Sequence, residues 1–184
     1  MPLEVHTMSD RDPIEPRDAS PTASHAEADL DTEMDLASAS ILVVDDNEQN
    51  LELLHAYLED VGCRVRTAPD GVDALRLIDE DPPDLVILDV MMPRMSGFQL
   101  CTRVKSDPAT RDIPVVMVTA LSEIGDVERA VECGADDFLT KPVYKLELVT
   151  RAKSLLRVRL LKRQLEEALA KMRRMDDASG TETE

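Results

Sequence analysis

Between Ile41 and Met175 the apolar residues of this 184-residue chain alternate between two patterns. Short continuous apolar runs read as strands buried on both faces. Longer stretches with an apolar residue every three or four positions read as helices with one buried face. Ile41–Val44 is the first run. Asn47 caps the helix predicted after it, whose face is Leu51, Leu54, Leu58 and Val61, and Gly62 closes that helix. A shorter strand at Arg64–Ala68 precedes Asp70-Gly71 and a helix through Ala74, Leu75 and Ile78, which Pro82-Pro83 stops.

The unit then recurs. Leu85–Leu88 is a strand ending at Asp89, and a loop over Pro93–Gly97 leads to a helix through Leu100 and Val104. Pro114–Val118 is a strand ending at Thr119, followed by a helix through Val127, Ala130 and Val131 that ends at Gly134. Asp137–Thr140 is a short strand ending at Lys141-Pro142, and a long helix starts near Tyr144. Five strands alternating with five helices imply right-handed βαβ units, hence an α/β doubly wound parallel sheet in the order 2-1-3-4-5.

Residues 1–40 break the pattern. They hold four prolines, 10 acidic and 2 basic residues and no hydrophobic period. Such a segment cannot offset its ordering entropy and reads as a disordered acidic tail. Residues 176–184 add 4 acids and no base, so most of the net charge of −17 lies in the ends. An acidic balance argues against non-specific nucleic-acid binding. No apolar run is long enough to cross a membrane and no signal peptide opens the chain. Cys63, Cys101 and Cys133 are odd in number and widely spaced, which reads as reduced thiols. Aromatics at 2% leave the core to Val, Leu, Ile, Met and Ala.

In an open parallel sheet, ligands bind at the carboxyl ends of the strands. Four of the five predicted strand ends carry chemistry: Asp45 and Asp46, then Asp89, Thr119 and Lys141. Three carboxylates on one edge repel one another and call for a hard cation such as Mg²⁺. A lysine and a hydroxyl beside them suit an anion that joins the metal, as a phosphoryl group on a carboxylate does.

The segments ILVVDDNEQN (41–50), LVILDVMMPRMSG (85–97), VVMVTA (115–120) and DFLTKP (137–142) resemble the receiver domain of bacterial response regulators. The likeness runs from residue 41 to about 158 and is closest to receivers often joined to cyclic-di-GMP synthases, a catalytic domain these 184 residues do not include. It implies a flavodoxin-like fold and a cytoplasmic two-component phosphoprotein. Asp89 matches the phosphoacceptor, and Asp46, Asp89 and the Met91 backbone carbonyl match the Mg²⁺ ligands, with Asp45 acting through water. Lys141 matches the lysine that contacts the phosphoryl group, in the family's cis Lys-Pro peptide. Thr119 matches the switch hydroxyl and Phe138 the switch aromatic. The implied partners are a histidine kinase as phosphodonor and a downstream protein. No separate cofactor site, nucleic acid or membrane is implied, and no enzyme activity beyond self-catalysed transfer and dephosphorylation. Met91 and Leu121 flank the line of hydrolytic attack and cannot orient a water, which predicts slow self-dephosphorylation.

The last helix continues without Gly or Pro to Met175. Leu155, Val158, Lys162, Leu165, Leu169 and Met172 follow alternating three- and four-residue steps, so 159–175 reads as a coiled-coil extension giving a homodimer or a partner-binding helix. The same spacing also suits a plain amphipathic helix folded on its own domain. Arg157, Arg159, Lys162, Arg163, Lys171, Arg173 and Arg174 give it a basic face.

The reading that unites these features is a phosphorylation-dependent signalling module acting through protein contacts. The alternative is an adaptor that uses the same fold for docking alone, against which the full set Asp45, Asp46, Asp89, Thr119 and Lys141 weighs. A phosphatase with an Asp nucleophile needs a second Asp two residues on, where Met91 stands. A flavin protein needs a phosphate loop after the first strand, which is missing.

Overall fold

A computed structural model of the chain describes residues 36–120, 129 and 131–179, without side chains at 176–179. The acidic stretches 1–35 and 180–184, together with Leu121, Val127 and Ala130, lie outside the described residues.

The elements are β1 (Ser40–Val44), α1 (Glu48–Leu58), β2 (Arg64–Ala68), α2 (Gly71–Glu80), β3 (Leu85–Asp89), α3 (Gly97–Ser106), β4 (Val115–Thr119), β5 (Asp137–Thr140) and α4 (Lys145–Ser179). Each start has a local cause. The Asn47 side chain accepts from the Gln49 and Asn50 amides, and Asp70 does the same for Val72 and Asp73. Ser96 and Gln99 form a reciprocal capping box at α3. After α1, a short 3-10 turn (Glu59–Val61) ends at Gly62, whose φ of 81° suits glycine. Between β4 and β5, positions 129, 131 and 132 are helical, and Gly134 (φ 83°) ends that segment.

The five strands are all parallel in the order β2-β1-β3-β4-β5, as the alternating pattern requires. In β1, β3 and β4 every residue is buried, so the continuous apolar runs correspond to helices on both faces. Strand residues alternate between the two layers. Leu42, Val44, Val86, Leu88, Val115 and Met117 pack with Ala74 and Ile78 of α2 and Leu100, Cys101 and Val104 of α3. Helices α1 and α4 cover the other face, where Leu54, Leu58, Leu148, Ala152, Leu156 and Leu160 are buried.

The fold begins slightly earlier than the apolar run suggested. Ala39 and Ser40 are buried, and Ser40 opens β1. The Asp84 carboxylate explains it: Oδ2 accepts from the Ser40 amide at 2.9 Å and Oδ1 from Arg163 of α4 at 2.7 Å. One buried carboxylate thus ties the starts of β1 and β3 to the last helix. That helix spans 35 residues, about 50 Å, and continues to Ser179, four residues into the stretch expected as an acidic tail. No described helix is long and apolar enough to cross a membrane.

Candidate functional site

The carboxyl ends of β1 and β3 meet at the switch point of the sheet, because β2 and β3 flank β1 on opposite sides. Asp45, Asp46 and Asp89 converge there, each offering a carboxylate oxygen within 4.8 Å of the others. Asp45 and Asp89 are buried and Asp46 is exposed. From the end of β5, Lys141 reaches across the edge. Its Nζ lies 3.0 Å from Asp45 Oδ2 and 3.2 Å from Asp89 Oδ2. Its peptide bond to Pro142 is cis. Thr119, at the end of β4, is buried beside this edge, and its carbonyl accepts from the Lys141 amide at 2.7 Å.

The electrostatics follow from burial. Desolvation pushes the Asp89 carboxyl above the usual carboxylate range; Lys141 pulls it back, the Asp45 charge adds to the rise, and the Met91 backbone amide opposes it. Burial alone would lower Lys141. The hydrogen bonds and charges of Asp45 and Asp89 outweigh it and hold the ammonium above its ordinary value. Lys141 is therefore a cation fixed between two buried carboxylates. It offsets one of their charges while Asp46 stands by, so the cluster as a whole retains a deficit of positive charge. The donor set is all oxygen and open to solvent on the Asp46 side, which fits a hard divalent cation that keeps some of its waters.

Three further features hold the site, and what each does there emerges only from the fold. Asn50, one turn into α1, donates from its amide nitrogen to both Asp45 oxygens at 3.0 and 3.1 Å. The Asn47 amide adds a third donor at 2.9 Å. Arg94, at φ 65°, pairs with Asp70, the cap of α2, and so pins the loop after Asp89 to a neighbouring helix. Gly97 approaches the backbone of Asp89 so closely that a Cβ there would lie 2.3 Å from the Asp89 carbonyl oxygen.

Two further expected residues are exposed. Phe138 lies on β5, 40% exposed, one strand beyond Thr119. Met91 is 63% exposed on the loop after β3. Leu121 lies outside the described residues.

A five-stranded 2-1-3-4-5 sheet with an acidic cluster and a cross-edge lysine at its switch point is the architecture of phosphoryl-signalling receivers. Comparison with known proteins agrees. The family model described as the response regulator receiver domain matches residues 41–153, and the chain belongs to this family of two-component signalling proteins. It is 48% identical over 143 residues to the response regulator PleD of Caulobacter vibrioides, covering 78% of this chain and 32% of PleD. It is 42% identical over 117 residues to the DNA-binding dual master transcriptional regulator RpaA of Synechocystis sp., covering 64% of this chain and 48% of that protein. The chain thus spans a third to a half of these relatives. Among solved structures, the signal receiver domain of a signal transduction histidine kinase from Syntrophus aciditrophicus superposes with a TM-score of 0.62 at 42% identity, covering 65% of this chain and 90% of that one.

Proposed function

We propose that this chain is a phosphorylation-dependent response regulator, taking a phosphoryl group on Asp89 from a histidine kinase and signalling through protein contacts. The observation that carries this reading is Lys141 Nζ, held 3.0 and 3.2 Å from the two buried carboxylates Asp45 and Asp89. A lysine that served only to neutralise charge could sit at the surface. One fixed at the rim of an acidic cleft is placed to meet an incoming anion.

In this reading an Asp89 carboxylate oxygen attacks the phosphorus of a phosphohistidine. The O–P bond forms as the P–N bond breaks, and the imidazole leaves with the electron pair. Lys141 exchanges its contact with Asp89 for one with a phosphoryl oxygen, so its charge follows the charge that develops. Asn50 and the Asn47 amide keep Asp45 fixed throughout. Asp46, Asp89 and the Met91 backbone carbonyl would hold Mg²⁺, with Asp45 acting through water; the ion supplies positive charge against the carboxylates and the phosphoryl oxygens. Thr119 turns its hydroxyl toward the new group, and Phe138 turns inward from its exposed position. That change remodels the surface around β5 and the start of α4 for a downstream protein. Residues 41–158 carry the receiver and 159–175 extend it as a contact helix. The chain works in the cytoplasm, in keeping with Cys63, Cys101 and Cys133 forming no disulfide.

Intact mass after incubation with acetyl phosphate tests this directly. The expected result is one added phosphoryl group that needs Mg²⁺ and is absent in Asp89→Asn. No added mass, with acetyl phosphate or a panel of histidine kinases, would leave docking alone as the use of this fold.

A further inference from the structure

The last helix carries two apolar stripes. Leu148, Ala152, Leu156 and Leu160 are buried against the chain's own domain. Val158, Leu161, Leu165, Leu169, Met172 and Met175 are between 44% and 64% exposed. At 100° per residue the centres of the two stripes lie about 180° apart around the helix. A single domain can cover only one of them. Arg163 of α4 is held on Asp84 at 2.7 Å, and the helix runs on for sixteen more residues to Ser179.

The exposed stripe has a register. Val158, Leu161, Leu165, Ala168, Met172 and Met175 step by 3, 4, 3, 4 and 3, the a and d positions of a heptad, with Leu169 beside them at e. This differs from the ladder read on sequence alone, which used Leu155 and Lys162. Leu155 is half-buried on the domain side and Leu161 takes the seam position next to Lys162. A narrow seam of period 3.5 fits a second helix and is too thin for a membrane surface.

We propose that this seam is covered by the same seam of a second copy of the chain. Three features favour that occupant. The seam alternates a and d residues evenly from end to end, so it is complementary to itself under a two-fold axis. The buried stripe lies on the far side of the helix, so the seam stays open to a second helix. The exposed apolar side chains amount to roughly 600 Å² per copy and roughly 1,200 Å² for a pair, the lower bound for a specific interface. Flanking charge in a parallel pair is mixed: Arg157 faces Lys162, a like-charge contact on the exposed rim, whereas Lys171 falls opposite an acidic position.

Sedimentation equilibrium of the full chain, without Mg²⁺ or phosphodonor, tests the seam independently of any role for Asp89. The unmodified chain is expected to show a concentration-dependent monomer–dimer equilibrium. Leu165→Asp is expected to weaken the dimer roughly 100-fold or more, because each pair loses two buried leucines. Glu166→Lys, one residue away and off the seam, should keep it. Thermal melts will show that both variants fold, since both side chains are exposed. A monomer mass for the unmodified chain at about 0.5 mM, or a dimer that survives both Leu161→Asp and Leu165→Asp, would overturn the proposal.

Discussion

Replacing Gly97 with alanine sets two effects of opposite sign against each other. Gly97 is the first residue of α3, where alanine in place of glycine ordinarily stabilises by up to about 1 kcal/mol. Here the added methyl would lie 2.3 Å from the Asp89 carbonyl oxygen and 2.9 Å from Val90 Cα. Ordinary contact needs about 1 Å more. Both obstacles are backbone and neither can swing away. Val90 is tied on one side by its amide to Val118 (3.1 Å) and on the other by its carbonyl, which accepts from the Gly97 amide (3.0 Å). Relief therefore costs about 1–3 kcal/mol of overpacking and about 1 kcal/mol for a stretched hydrogen bond. The net is a destabilisation of about 1–3 kcal/mol, or roughly 3–10 °C in Tm for a domain of this size. The displaced atoms belong to Asp89 itself, so phosphoryl uptake from acetyl phosphate should slow as well. Urea and thermal unfolding, beside a time course of intact mass, read both effects. A Gly97→Ala variant as stable as the parent and phosphorylated at the same rate would refute the steric argument.

Asp84→Ala should cost about 2–3 kcal/mol in urea unfolding, because it leaves the buried Ser40 amide without its acceptor, whereas Arg163→Ala should cost about 1–2 kcal/mol. A neutral Arg163→Ala would mean that the pair does not fasten α4. Burial, with the Asp84 charge adding, raises the Cys63 thiol, and burial raises Cys101 strongly. A raised value means less thiolate at a given pH. Iodoacetamide at about pH 8 should thus alkylate Cys63 more slowly than a free peptide thiol and spare Cys101, while burial alone shields Cys133, until urea is added; rapid triple labelling of the native protein would contradict this. Finally, Met91→Asn should shorten the life of the phosphorylated protein with little effect on folding, Met91 being exposed. Unchanged lifetimes in both the Asn and Glu variants would remove Met91 from the hydrolytic path.

How much was legible in the sequence depends on the range of the interaction. Strands β1, β3 and β4 were readable because burial on both faces demands uninterrupted apolar runs, and their parallel order follows from the helices between them. Asp45, Asp46, Asp89 and Thr119 could be placed on the carboxyl edge of the sheet because they end or follow such runs, and Lys141 because it follows the short strand β5. Asn50 gave no such signal. It lies in the first turn of α1 between Gln49 and Leu51, and only the packing of α1 beside β1 brings its amide onto Asp45. Arg94 is likewise an ordinary loop arginine until the fold places Asp70 beside it. Gly97 resembled a loop glycine, and its reason emerged only from the separation of two backbones.

The last helix marks the boundary most clearly. The sequence by itself determined that an unbroken helix follows Tyr144 and that apolar residues recur along it, since both depend on local spacing and the absence of Gly and Pro. It could not say which of two interleaved ladders faces inward. That was decided by where the domain surface lies. Leu156 and Leu160 are buried because the sheet lies beneath them, and Leu161 and Leu165 are exposed because they point to the opposite side of the helix from that sheet. Periodicity fixes the angle between side chains, whereas burial depends on what stands opposite, and that is a property of the tertiary structure alone.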